Sequence, residues 1–161
     1  MTVIDGFLED IAGENILPTA DMCICSGLLQ EIEQPLQIID SMKGLTAENG
    51  LIHISVANAY SFHRQLAFEM GLIDSVTQFS DRNKALQQFR VYDLNSLREL
   101  LVAAELEILD EGGYFIKPFT HKQMTDVAEV IGEDVLNGLW KLGRKYPELA
   151  SEIYINARVG N

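Results

Sequence analysis

Residues 55–71, SVANAYSFHRQLAFEMG, set a histidine beside an arginine just past an apolar run that breaks at Asn58. Loops beyond the end of a strand are where α/β proteins place much of their chemistry. His63 carries a side chain that titrates near neutral pH and suits general acid–base work, and it also fits a structural histidine that fixes the loop or one half exposed on a helix. Arg64 offers a planar fork to a phosphate or carboxylate, or to a surface ion pair in a chain rich in acids. Glu31 could accept a proton or a substrate hydroxyl, and it could also stabilise a helix N-terminus. His53, between Ile52 and Ile54, reads as a hydrogen-bonded buried histidine, while Lys117, His121 and Gln123 in YFIKPFTHKQM suit a substrate entrance or a loop over a sheet. The three histidines have neither short ligand spacing nor a shared acidic cluster, so no metal site is expected. Cys23 and Cys25 stand two apart, which suits neither a disulfide nor a C-x-x-C motif, and they read as small core residues. A Cys25–His63 nucleophilic pair lacks an oxyanion turn to support it.

These residues need a scaffold, and the apolar periodicity supplies one. Short β-rich segments are expected at TVI, residues 2–4, and at DMCIC, residues 21–25. After Pro35 the spacing of Leu36, Ile39, Met42 and Leu45 predicts a helix that stops at Gly44 and the AENG turn. The β-branched run LIHISVA, residues 51–57, predicts a strand buried on both faces, which completes a right-handed βαβ unit. A short helix is expected around FHRQLAFEM, followed by a polar stretch. Asp93 is an N-cap for an amphipathic helix through Leu94, Leu97, Leu100, Leu101 and Ala104. LEILDEGGYFIKPF reads as two strand pieces around a Gly-Gly turn, residues 125–146 as a longer helix, and SEIYINARV as a closing strand. The fold class is therefore α/β.

With 161 residues and 47% hydrophobic composition the chain has the length of one domain and can bury a core without disulfides or metal. Its net charge of −12 argues against nucleic acid and against anionic membranes as partners. The apolar runs are strand-sized and no basic, apolar leader opens the sequence, so a cytoplasmic location is expected. No G-x-G-x-x-G or P-loop pattern occurs.

Taken in order, VIDGFLEDI, DMCICSGLLQEIEQP, LIHISVANAYSFHR and FRVYDLNSLRELLVAAELEILDEGGYFIKP resemble the later part of a class I S-adenosylmethionine-dependent methyltransferase. The likeness runs from about residue 2 to residue 117, with the last strand fitting the family's antiparallel seventh. It implies a partial Rossmann-like sheet, mostly parallel with an antiparallel terminal strand, in one domain spanning 1–161. The family's first two strands, with the glycine-rich turn and the acid that holds the cofactor ribose, would lie before residue 1. Departures are visible as well: Phe7 and Leu8 stand at the adenine-contacting turn, Gln30 and Glu31 replace the usual acid and histidine, and Ala57 replaces the proline before Asn58.

The resemblance implies S-adenosylmethionine as cofactor, contacted by Phe7, Leu8, Ser26, Gly27 and Leu28, and a small anionic or sugar-linked acceptor served by His63, Arg64 and Glu31. The alternative is a truncated, non-catalytic methyltransferase-like protein acting as a binding or regulatory partner. With the first strands absent, residues 21–25 become an open edge, which implies self-association or an amino-terminal partner segment.

Overall fold

The computed structural model describes residues 3–13 and 17–160. Its helices are α1 (Leu8–Gly13), α2 (Pro35–Leu45), α3 (Phe62–Glu69), α4 (Asp81–Ala85), α5 (Leu94–Ala103) and α6 (His121–Lys145). Its strands are β1 (Ala20–Ser26), β2 (Thr46–Ala57), β3 (Leu106–Tyr114) and β4 (Glu152–Val159). They form one sheet in the order β1-β2-β4-β3. β1 runs parallel to β2, and β4 lies antiparallel between β2 and β3, so three strands run one way and the terminal strand runs against them.

Local signals explain the best-defined helices. Pro35 opens α2, where its missing N–H is not needed. In α5 the Asp93 carboxylate accepts from the Ser96 N–H while the Ser96 hydroxyl accepts from the Asp93 N–H, a reciprocal cap that fixes the start of the helix. Both helices turn their apolar stripes to one face of the sheet. There Ile38, Ile39, Met42, Leu97 and Leu101 pack with Cys25, Ile52, Ile54, Val56, Ile153, Ile155 and Ala157. Cys25 is buried and Cys23 is partly buried against this core, as the sequence led us to expect. Burial pushes the Cys25 thiol up to about 11.

The structure corrects several expectations. β2 is fully covered on one face, by Ile52, Ile54 and Val56, and only in part on the other: Ser55 is buried, while Leu51 and His53 are partly buried and line a groove walled among the described residues by α6. LEILDEGGY is one continuous strand rather than a hairpin. A Cβ on Gly112 would meet the Tyr154 ring at 2.7–2.8 Å and one on Gly113 would meet the Ala150 Cβ at 2.4 Å, so these glycines admit close neighbours instead of making a turn. The AENG segment does turn, but inside a longer strand: the register jumps from Ala20 opposite Thr46 to Met22 opposite Leu51. Of the strand expected at TVI, Thr2 lies outside the described residues, and Val3 and Ile4 are exposed and belong to no strand, with no neighbour among the described residues to supply a ladder. The long helix α6 begins four residues earlier than its apolar spacing predicts, at a Thr120–Gln123 capping box, and kinks at Gly132, where φ is 79°.

Candidate functional site

The carboxyl ends of β1 and β2, the amino end of β4 and the segment after β3 converge on a cavity of about 440 Å³. His63 and Arg64 enter it from α3, Glu31 and Gln30 from the turn after β1, Arg82 and Asn83 from α4, Lys117 from the β3–α6 connection and Glu152 from β4. Ala57 and Asn58 close it at the end of β2. Asn58, where the apolar run breaks, is buried and donates from Nδ2 to the carbonyls of Glu148 and Ala150, each at 2.9 Å. Its Oδ1 accepts from the Tyr60 N–H, so it ties the loop that leads to α3 onto the turn that leads to β4.

His63 is half-buried, and its Nδ1 is buried without a partner among the described residues. Burial, together with the positive charges of Lys117 and Arg64, lowers its pKa from 6.5 to about 4, so the ring is neutral near pH 7. The linkage has a definite sign. A histidine harder to protonate in the folded state supports the fold above pH 6.5 and loses that contribution as the pH falls through 4. After allowance for solvent screening the loss is about 1 kcal/mol. The His63→Asn variant should therefore show a flatter dependence of denaturant stability on pH between these values than the parent chain. An imidazole of His63 titrating at its ordinary position in an NMR pH series would contradict the assignment.

Arg64 is turned to the backbone. Its Nε donates to the Val76 carbonyl at 2.7 Å and its Nη2 to the Gln78 carbonyl, so it fastens the segment following α3 over the cavity and forms no ion pair among the described residues. Glu31 is exposed at the rim, with Gln88 Nε2 at 3.4 Å from its carboxylate. The trio after β3 is divided: Lys117 lines the cavity, whereas His121 opens α6 and Gln123 completes its cap. His53 is partly buried in the groove on the open sheet face, bonded through Nδ1 to Asn156 Oδ1 at 2.7 Å and stacked on Tyr154.

At the end of β1 the Ser26 hydroxyl pairs with the Ser55 hydroxyl at 2.8 Å, and Ser55 donates to Glu152 at 2.9 Å. Glu152 lines both the strand-end cavity and the groove on the open face. Gly27 follows in the left-handed region, at φ 64°, with its N–H on the Ser55 carbonyl. Leu28 and Phe7 are exposed and Leu8 packs against the core; none of the three is in the wall of the cavity or of the groove. Sequence reasoning passed over Arg82, Gln30's role in the wall and Glu152. They come from distant parts of the chain, and only alternation along β4, which places Glu152 opposite the core residues, was a readable signal.

No family model matches the sequence and no curated protein matches it. Solved structures do. A SAM-dependent methyltransferase from Archaeoglobus fulgidus superposes with a TM-score of 0.53 at 12% identity, over 96% of this chain and 66% of that one. The plantazolicin methyltransferase BamL, solved with a triazolic desmethylPZN analog and SAH, gives 0.55 at 14% identity, over 97% and 59%. A SAM-dependent methyltransferase from Thermotoga maritima gives 0.57 at 12% identity, over 97% and 63%. The chain thus spans less than two thirds of the length of these structures. Its fold is that of the class I SAM-dependent methyltransferases. No described helix is long and apolar enough to cross a membrane.

Proposed function

We propose that this chain carries the acceptor-facing portion of a class I SAM-dependent methyltransferase acting on a small acceptor that bears an anionic group or a sugar. The observation that carries the reading is the polar cavity beyond the carboxyl ends of β1 and β2, in a sheet whose order and single antiparallel strand are those of the methyltransferase fold. The cofactor, when bound, supplies a methyl group already activated on a sulfonium. The protein's share is then to align the nucleophile and, for oxygen or nitrogen, to remove its proton. His63, neutral near pH 7, is the base in this reading; Arg64 positions the adjoining segment, and Glu31 bonds a polar group at the rim. Ser26 and Gly27 fit the polar methionine end of the cofactor, because a hydroxyl and an uncrowded left-handed glycine stand together at the strand end. Phe7, Leu8 and Leu28 are its apolar contacts in the same reading.

We further propose that residues 1–161 form one methyltransferase-like domain and that the fold's first two strands are supplied by another segment joining at β1. Two observations support this. The matched structures extend well beyond the aligned length, and the outer side of β1 pairs with no strand among the described residues, while its Met22 and Ile24 are exposed on the open face of the sheet. The same open edge favours a second reading, a non-catalytic methyltransferase-like protein whose edge strand engages a partner.

S-adenosylhomocysteine titrated into the chain should shift amide resonances at residues 26–28, with an affinity on the order of millimolar because only part of the pocket is present. Light scattering should show self-association that Ile24→Lys abolishes. Absence of any shift at residues 26–28 would remove the cofactor assignment and leave the partner reading. A monomer with slowly exchanging outward amides in residues 21–25 would remove the edge proposal.

A further inference from the structure

We infer that Lys117 and Arg82 form an oxyanion-binding subsite in the strand-end cavity and hold the phosphate or carboxylate of the acceptor beside His63. The inference rests on reading this cavity as the acceptor pocket, and it assigns the anion to residues other than Arg64.

The electrostatics of the chain make the site unusual for this molecule. With 24 acidic residues against 12 basic ones, most of the surface must be negative, yet Arg64, Arg82 and Lys117 line one cavity. Within it Lys117 is singular. Among the described residues it is the one partly buried lysine or arginine that donates no hydrogen bond and lies within 4.0 Å of no carboxylate oxygen. The other partly buried cations are all engaged. Lys43, Arg98 and Arg158 pair with acids, Arg64 holds two carbonyls, and Arg90 donates to the Glu33 carbonyl. Holding an ammonium away from water without a counter-charge is unfavourable, and a ligand oxyanion would relieve that cost.

The carboxylates of the same cavity do not neutralise it. Glu152 accepts from Ser55, Glu31 has Gln88 beside it, and neither is within ion-pair distance of a lysine or arginine. Burial and the nearby charge of Arg82 both depress the Lys117 pKa, as expected for two cations facing one space with no anion between them. Arg64 adds to the positive field, but its fork is spent on Val76 and Gln78, which leaves Arg82 as the guanidinium free to meet a ligand. Two further polar atoms in the wall have no partner among the described residues: His63 Nδ1 and Gln30 Oε1, the latter on a side chain that is 9% exposed. A cavity of about 440 Å³ is of the size that takes a small polar metabolite.

Inorganic phosphate and acetate, titrated separately into the full chain and followed by amide chemical shifts, test the assignment. At least one should bind saturably, with shifts at residues 63, 82 and 117; phosphate alone points to a phosphate ester and acetate alone to a carboxylate. Lys117→Gln, and Lys117→Met with its stem retained, should weaken binding about tenfold. Arg82→Gln should weaken it in the same direction, and Arg144→Gln, in the groove on the open face, should leave it unchanged. Binding that is unaltered by both Lys117 variants, or shifts that map away from the cavity, would overturn the subsite. The parent reading fails separately: oxyanion binding at Lys117 without any S-adenosylhomocysteine shift at residues 26–28 would keep the subsite, remove the cofactor assignment and leave the partner reading.

Discussion

Asn58→Ala should lower stability by about 3 kcal/mol and the thermal midpoint by roughly 10 °C. Asn58 is 3% exposed and uses its whole amide: both donors meet carbonyls of the turn at 147–150, and its oxygen receives the Tyr60 N–H. Alanine removes these bonds and leaves the carbonyls of Glu148 and Ala150 without that donor, a loss that water cannot readily make good at Ala150, which is itself fully buried. The damage should reach the cavity, because Ser151 and Glu152 in its wall follow directly and the Asn58 N–H donates to the Ser151 carbonyl. Asn58→Asp should be worse, since it sets an ionised carboxylate against two carbonyl oxygens. Denaturant melts of the two variants check this; a loss below about 1 kcal/mol for alanine would mean that the turn is held without Asn58.

Gly113→Val should cost about 3 kcal/mol or more, the upper end of overpacking effects. A Cβ at this position would stand 2.4 Å from the Ala150 Cβ and 2.9 Å from the Pro147 Cα, and the second contact is with backbone, which cannot rotate away. The same turn, 147–150, is thus pressed against the sheet at Gly113 and pulled down by Asn58. Because the two substitutions act on one segment, the double variant should lose less than the sum of the singles. Strict additivity in the same denaturant melts would show that the turn does not move as a unit. Gly112→Val should also destabilise, but the obstacle there is the Tyr154 side chain, so its cost should be smaller.

Much of this architecture was legible in the residues because its causes are local. Asp93 and Ser96 cap α5 from within four positions, Pro35 opens α2, and alternation along 152–159 fixes which side of β4 is buried. The strand–helix–strand succession around α2, and the place of the last strand, followed from such signals together with the resemblance. Expectations failed where a distant neighbour decides. Gly112 and Gly113 carry a turn composition, yet Tyr154 and the 147–150 turn, some 40 positions away, need the space above them and keep the strand straight through. LIHISVA has the composition of a strand covered twice, but covering depends on what packs above it, and the His53 face carries a groove.

The site divides in the same way. Position beyond a strand marked His63 and Arg64, but pairing preferences within reach, not residue type, turned the Arg64 fork to the carbonyls of Val76 and Gln78. Lys117, Arg82, Gln30 and Glu152 share a cavity only because β1, β2 and β3 end, and the antiparallel β4 begins, at the same side of the sheet. Local sequence determines capping, periodicity and facing, since those energies are exchanged within a few residues. Which charges meet, and which are left without a counter-charge, is decided by the tertiary structure, because electrostatic and steric energies depend on distance in space and not on separation along the chain.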